Sequence, residues 1–448
     1  MSPRGEQPEL VKDPNTHGDG GNNCDDDAVS DTSTLRYGEE SHEPFETFKD
    51  KVAQLAAEIF PKARKINIER MKGGSYNRTV AVTVFDPVPN IFVRSFRRLM
   101  KRPCPTNTSQ QYVFRIPRSN MEEPLEQQVA VLKMVGAKLS LPVPKVIKYD
   151  TSIENVLKKQ YVVQRRIEGQ NLMEVLFDLN AKQWESLLRN VMELTKAIAD
   201  FHSESAGEIA KSNLSATSQS DIQLEKFHVP GQGTIDYLWK KPVTWPSLPQ
   251  DSLALLLEQC ERWREYGEFV DWPWDYIWDG FTAISHSLHK RGFLEGPFSL
   301  VHGDLEAYNL MVKVKDDTVE ITGLIDWDFA LFAPKFMAYR APHWAWLGEA
   351  EEGGVVVDQE VGIDFQPKNE IAKQMKAYFL EHASEEWKKL AFAPEAILAR
   401  RMFTILRNGL DNDWELDEAK AILSEWDQLH PEEKIPTTWS FDSDNESE

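Results

Sequence analysis

Cysteine is nearly missing from this 448-residue chain: Cys24, Cys104 and Cys260 are odd in number, far apart and follow no zinc-ligand spacing. That pattern excludes a disulfide framework and fits a reducing compartment. No run of about eighteen consecutive apolar residues occurs, so no segment reads as a membrane-spanning helix and no membrane partner is expected. The opening MSPRGEQPEL has no apolar stretch, which excludes a signal peptide, and a cytoplasmic protein is the expectation. Positive charge is also short, with 51 Lys and Arg against 72 Asp and Glu. Phosphate backbones bind to basic stripes, and none stands out here, so no nucleic-acid partner is expected.

The resulting charge of −21 is unevenly placed. Residues 1–44 hold eleven acidic side chains against Arg4, Lys12 and Arg36, a net of −8, and residues 441–448 add −4. The body between them keeps a mild −9. The leader is rich in Gly, Asn, Asp, Ser and Glu and contains Asp25-Asp26-Asp27, the composition of a disordered segment. Hydrophobic residues at 41% and aromatics at 10% let the remainder bury one or two sizeable cores.

Periodicity divides that remainder in two. Phe45, Phe48, Val52, Leu55, Ala56 and Ile59 predict a helix over 45–59. Alternation at Ile66 and Ile68, then at Val80, Val82 and Val84, predicts two strands joined by a turn containing Gly73-Gly74-Ser75. Strands follow at 112–116, 144–149 and 161–167, with one helix inserted near 124–135. After Glu168-Gly169 the pattern turns helical, with two stretches up to His202, the second over 191–202. Helical spacing returns at 251–266, 273–291 and 366–430, and a strand pair is expected over 308–326. The plan is α+β and bilobal. It comprises an acidic leader (1–44), a strand-rich N-lobe (45–168), a mainly helical C-lobe (169–440) and an acidic tail (441–448), with a cleft near 164–169.

The sharpest signal is Val301-His302-Gly303-Asp304-Leu305-Glu306-Ala307-Tyr308-Asn309. It sets a carboxylate in a turn after an apolar strand and a carboxamide five residues later, at the start of another strand. A hairpin turning at Asp316-Asp317 would bring the chain back, so that Asp326, in Ile325-Asp326-Trp327-Asp328, lies beside Asn309 and Asp304. Two carboxylates and an amide oxygen at one end of a hairpin are hard ligands suited to magnesium bound with phosphates. A carboxylate set apart from the ions can accept a proton from an attacking hydroxyl. Asp328 is either a support for that metal site or an ordinary capping residue.

These motifs and the order of elements between them resemble the aminoglycoside-phosphotransferase and choline-kinase-like family over residues 45 to 440. The resemblance implies a protein-kinase-like fold that binds ATP and Mg2+ between its lobes and phosphorylates a hydroxyl of a small-molecule acceptor. It makes Asp304 the catalytic base or the residue that orients the hydroxyl, Asn309 and Asp326 the Mg2+ ligands, and His302 a neighbour that fixes the loop. Gly73, Gly74 and Ser75 would close over the phosphates through backbone N–H groups, although a Gly-Gly turn is also an ordinary hairpin. The third-strand cation of the family falls at Arg115, where lysine is usual, and its helix partner at Gln128, where a carboxylate is usual; Glu126 is close by. The segment around Gln164 and Arg166 resembles the lobe linker, whose backbone would meet adenine, with a plain edge strand as the alternative.

Six tryptophans between Trp239 and Trp278 leave two readings open, an aromatic cage for a cationic acceptor or core and cover. Asp271, Asp275 and Asp279 would add charge to such a site or line a solvated helix face. A monomer is expected. The alternatives to a phosphotransferase are a catalytically weak nucleotide-binding scaffold of the same fold and a protein kinase. Against the last stand His-Gly-Asp in place of His-Arg-Asp and the lack of an Ala-Pro-Glu segment after Asp326.

Overall fold

A computed structural model describes residues 43–71, 77–86, 100, 108–118, 125–140, 142–215, 222–230, 245–348, 359–410 and 412–437. The turn at Gly73, Gly74 and Ser75, Trp239, the leader up to residue 42 and the acidic tail lie outside these residues. The chain divides into two compact units, Met1–Phe48 and Lys49–Glu448. Of the first, residues 43–48 are described and open the helix α1 (Phe45–Ile59). The remaining elements all belong to the second unit.

Alternating apolar residues build the first sheet. Strands β1 (Lys65–Arg70), β2 (Asn77–Phe85), β3 (Ser109–Pro117), β4 (Val146–Asp150) and β5 (Tyr161–Arg165) form an antiparallel sheet in the order β1-β2-β3-β5-β4. Val80, Val82, Phe114 and Ile116 are buried on one face of it, as a period of two requires. On the other face, helix α2 (Leu125–Lys138) sets Leu125 and Val129 against Val162 of β5. Arg115 stands opposite Val162, and Val113 opposite Gln164, so Arg115 and Gln164 share the sheet face that α2 covers.

The linker out of β5 is fastened to distant parts of the chain. Gly169 adopts φ +114°, and a Cβ there would lie 2.6 Å from Val312 O, so only glycine fits. The next two residues form strand β6 (Gln170–Asn171), and Thr322 Oγ1 donates to Glu168 O at 2.5 Å.

Helix α3 (Ala181–Ala199) begins with a capping box, in which Asn180 accepts from the Gln183 N–H and Gln183 reaches back to Asn180 N. Two helical stretches were expected up to His202, the second over 191–202, whereas two 3-10 turns, Leu172–Glu174 and Leu176–Asp178, precede one α-helix that ends at Ala199. No Gly or Pro interrupts 181–199, so nothing breaks it. His202 belongs instead to strand β7 (His202–Ser203), which pairs with a later strand, β10 (Phe298–Val301). Strands β8 (Gly207–Ile209), β9 (Leu224–Glu225) and β13 (Leu331–Ala333) complete that sheet, in the order β7-β10-β13-β8-β9. Strands β11 (Leu310–Lys315) and β12 (Thr318–Leu324) form a hairpin that adds β6 at its edge.

The longer helices that remain are α4 (Ser252–Val270), α5 (Asp275–Lys290), α6 (Glu370–His382), α7 (Glu385–Phe392), α8 (Pro394–Asn408) and α9 (Asp413–Leu429), with two short helices, Lys335–Ala338 and Trp344–Leu347, between α5 and α6. Trp263 of α4 and Trp278 of α5 stack at 6.1 Å, both buried, and the Trp263 Nε1–H donates to Leu406 O at 2.8 Å. These rings are core, which removes them from any open cage. The three aspartates do not share a helix face: Asp271 caps α4 at φ 58°, Asp275 starts α5, and Asp279 pairs with Arg264 at 2.7 Å. No helix among the described residues is long and apolar enough to cross a membrane.

Candidate active site

The loop from β10 to β11 is held by short-range contacts its sequence dictates. Gly303 takes φ +86°, and an added Cβ would meet Phe329 O at 2.4 Å. His302 is buried, edge-on to Trp327 at 4.6 Å. Its Nδ1 accepts the Asp304 N–H at 3.2 Å and its Nε2 lies 3.1 Å from Ile325 O, a pair of contacts that assigns the proton to Nε2. Burial pushes its pKa down to about 4, so the ring is neutral and clamps the loop to the chain leaving β12.

Asp304 then meets two partners. Asn309 Nδ2 donates to Asp304 Oδ2 and to Asp304 O, each at 2.8 Å, and the Tyr308 hydroxyl donates to Asp304 Oδ1. This uses the amide nitrogen of Asn309 and leaves its amide oxygen without a donor among the described residues. The Ile325 N–H donates to Asn309 O at 3.0 Å, which sets Asp326 next to Asn309 at the open end of the hairpin. Asp326 sits at φ 63°, a left-handed conformation that aspartate tolerates better than most residues and that tends to occur at functional sites. Asp304, Asn309 and Asp326 are thus brought together.

Arg115 reaches the same place from β3. Its Nη2 donates to Asp326 Oδ1 at 2.9 Å and to Asp328 Oδ2 at 2.6 Å, and its Nη1 to Asp328 Oδ1 at 3.2 Å. Burial alone would lower the Arg115 pKa, and the charges of Asp328 and Asp326 outweigh it, so the net shift is upward. For Asp328, burial raises the pKa in spite of Arg115. The expected bond between Arg115 and Gln128 is absent: α2 brings no hydrogen bond from Gln128 or Glu126 to the guanidinium, and the partner comes from beyond β12 instead. Sequence reading left Asp328 undecided and missed Tyr308. The readable signal for Asp328 was the Asp-Trp-Asp sequence, two acids beside an apolar Trp327 that the fold buries.

Gln164 and Arg166 differ from expectation in which groups they offer. Gln164 belongs to a strand paired on both sides, opposite Val113 and Val146, and so is not at an edge. The Arg166 N–H already donates to Gln111 O at 3.0 Å. The Gln164 side chain is buried and its Nε2 has no hydrogen-bond partner among the described residues. Gly73, Gly74 and Ser75 lie outside the described residues.

The geometry thus gathers Asp304, Asn309, Asp326, Asp328 and Arg115 at one end of the hairpin. The model of the phosphotransferase enzyme family known as APH matches residues 68–336, and the chain belongs to that family. Among curated proteins, a subtelomeric hrmA-associated cluster protein of Aspergillus fumigatus is 29% identical over 82 residues, 18% of this chain and 16% of that one. Altered inheritance of mitochondria protein 9 of Meyerozyma guilliermondii is 30% identical over 106 residues, 22% of this chain and 16% of the relative. The matched segment thus spans about a sixth of the length of these relatives. Among solved structures, the gentamicin complex of APH(2")-IIa is 13% identical with a TM-score of 0.43, covering 86% of this chain and 98% of that one. A ternary complex of APH(4)-Ia with AMP-PNP and hygromycin B is 15% identical with a TM-score of 0.43, covering 84% and 99%.

Proposed function

We propose that this chain transfers the γ-phosphoryl group of ATP to a hydroxyl of a small molecule, in a cleft between an N-lobe over 45–168 and a C-lobe over 169–440. The observation that carries the reading is the hydrogen-bonded set Asp304–Asn309, with Asp326 held beside Asn309 through Ile325. The residues present suit Mg2+: Asn309 keeps a neutral amide oxygen and Asp326 a side chain that is 42% exposed, both hard donors. Bound with ATP, the ion would neutralise charge on the transferred phosphoryl group.

The protein residues have separate tasks. Asp304 orients the acceptor hydroxyl and takes its proton, and Asn309 keeps that carboxylate turned toward it. The Tyr308 phenol occupies Asp304 Oδ1, so an acceptor hydroxyl must compete with it. Arg115 supplies donors for phosphate oxygens, as the fork of a guanidinium allows. Gly73, Gly74, Ser75, Gln164 and Arg166 complete the proposed nucleotide site, with Gln164 offering its side chain.

The test is a metabolite pool incubated with MgATP and scored by phosphate mass gain. Asp304→Asn should lower turnover by about 10²–10⁴-fold while retaining nucleotide binding. Equal phosphate release by both proteins would leave a nucleotide-binding scaffold. Labelling of added proteins instead of metabolites would point to a protein kinase.

A further inference from the structure

Arg115 has no carboxylate from α2, and the structure shows what replaces it. Asp328 grips the guanidinium with both oxygens, Oδ1 to Nη1 at 3.2 Å and Oδ2 to Nη2 at 2.6 Å. Asp326 shares Nη2 through one oxygen at 2.9 Å. The two aspartates sit in different settings. Asp328 is 14% exposed against 42% for Asp326, and Arg115 itself is 12% exposed. Between them Trp327 is fully buried, its Nε1–H donating to Leu324 O at 3.0 Å, which pins the segment carrying both carboxylates.

We infer that Asp328 is the positioning residue of Arg115: it holds the guanidinium at the end of the hairpin while Asp326 remains able to release its share. The inference rests on the reading of Arg115 as a phosphate-binding cation. A bidentate carboxylate fixes the plane of the guanidinium as well as its place, which a single contact does not. Breaking the largely buried Asp328 contact would strand a charge away from water, whereas Asp326 is wet enough to exchange partners. The Nε–H and the second Nη1 proton of Arg115 find no acceptor among the described residues, so donors remain for a phosphate oxygen. Without Asp328, Arg115 would rest on Asp326 alone and compete with a divalent cation for the same carboxylate.

The consequence is a specific coupling between magnesium and nucleotide. Calorimetric titration of AMP-PNP, with and without magnesium, into the full-length wild type, Asp328→Asn and Asp328→Glu reads it directly. The magnesium-dependent gain in AMP-PNP affinity should fall about tenfold in Asp328→Asn, with metal-free affinity unchanged within error, and return largely in Asp328→Glu. A wild-type magnesium gain in Asp328→Asn overturns the inference. So does a loss of equal size with and without magnesium, which is what a merely structural contact would give. If Asp328→Asn does not fold, Arg115→Lys decides, because an ammonium cannot span both oxygens of Asp328; an undiminished magnesium gain there also overturns it. A wild type that binds no AMP-PNP removes the phosphotransferase reading itself, whereas a binding wild type with an indistinguishable variant removes only this inference.

Discussion

Arg400 and Arg115 are both withdrawn from water and both bound to carboxylates, yet their surroundings differ in one respect that separates architecture from chemistry. Arg400 on α8 commits every N–H to protein: Nε to Glu360, Nη1 to Phe336 O at 2.9 Å and Leu390 O at 2.6 Å, Nη2 to Glu360 and to Ala391 O at 3.2 Å. Arg340 adds a second cation to Glu360 at 2.9 Å. Burial raises the Glu360 pKa by itself, and the two arginines reverse this, so the carboxyl ends below its usual range. That cluster is closed. Around Arg115 the set is open on one side, with an exposed Asp326 and donors in reserve. A buried cation with every donor matched holds a fold together, and one with donors left over is available to a ligand.

Four experiments press on this difference, from the largest expected effect downward. Arg400→Ala should cost about 3–5 kcal/mol in urea unfolding, because Glu360 is left buried with a weaker counter-ion. The folded fraction should bind MgADP as the wild type does, and a selective loss of binding would break the comparison. Acid comes next, through His302. Its folded pKa of about 4 lies below the ordinary value, so the stability it contributes is present above pH 6.5 and is lost as pH falls toward 4. Across that window the unfolding free energies of wild type and His302→Gln should converge by about 3 kcal/mol, and parallel curves would argue against a buried neutral ring.

Arg115→Ala should lower stability by less, about 1–3 kcal/mol, since Asp328 can gain a proton and Asp326 is already wet. Its main effect should fall on nucleotide binding, the reverse of Arg400→Ala. Least affected is a second closed cluster, at Glu433. Burial would raise its pKa, but donors from Ser287, Trp426 and Arg291 bring it down to about 2. Its contribution is therefore present above about pH 4.5 and lost as pH falls toward 2, worth about 1 kcal/mol after allowance for solvent screening. The gap between wild type and Glu433→Gln should close over that range, and a constant gap would show that its hydrogen bonds do not depend on charge.

Legibility in the sequence followed the range of the interaction. The helix–strand order, the hairpin after Asn309 and the grouping of Asp304 with Asn309 depend on neighbours within a few residues, and period and turn chemistry report those. The ending of α3 was less legible, since β7 forms only because β10 lies alongside it. Trp263 of α4 and Trp278 of α5 show the same limit: composition allowed a cage, and their stacking, with the bond to Leu406 O, made these two core.

By itself the sequence determined the loop that carries Asp304 and Asn309, because a glycine at positive φ, a following strand and a two-residue hairpin turn are local demands. It also placed Arg115 on a strand over 112–116, and the structure set that strand beside Val162. Which acid would meet Arg115 was decided only in three dimensions. The contact joins positions 115 and 328, on separate elements, and it exists because burial of Trp327 turns Asp326 and Asp328 the same way while α2 presents Gln128 in place of a carboxylate. Local periodicity does not encode a charge pair across that separation; the tertiary fold does.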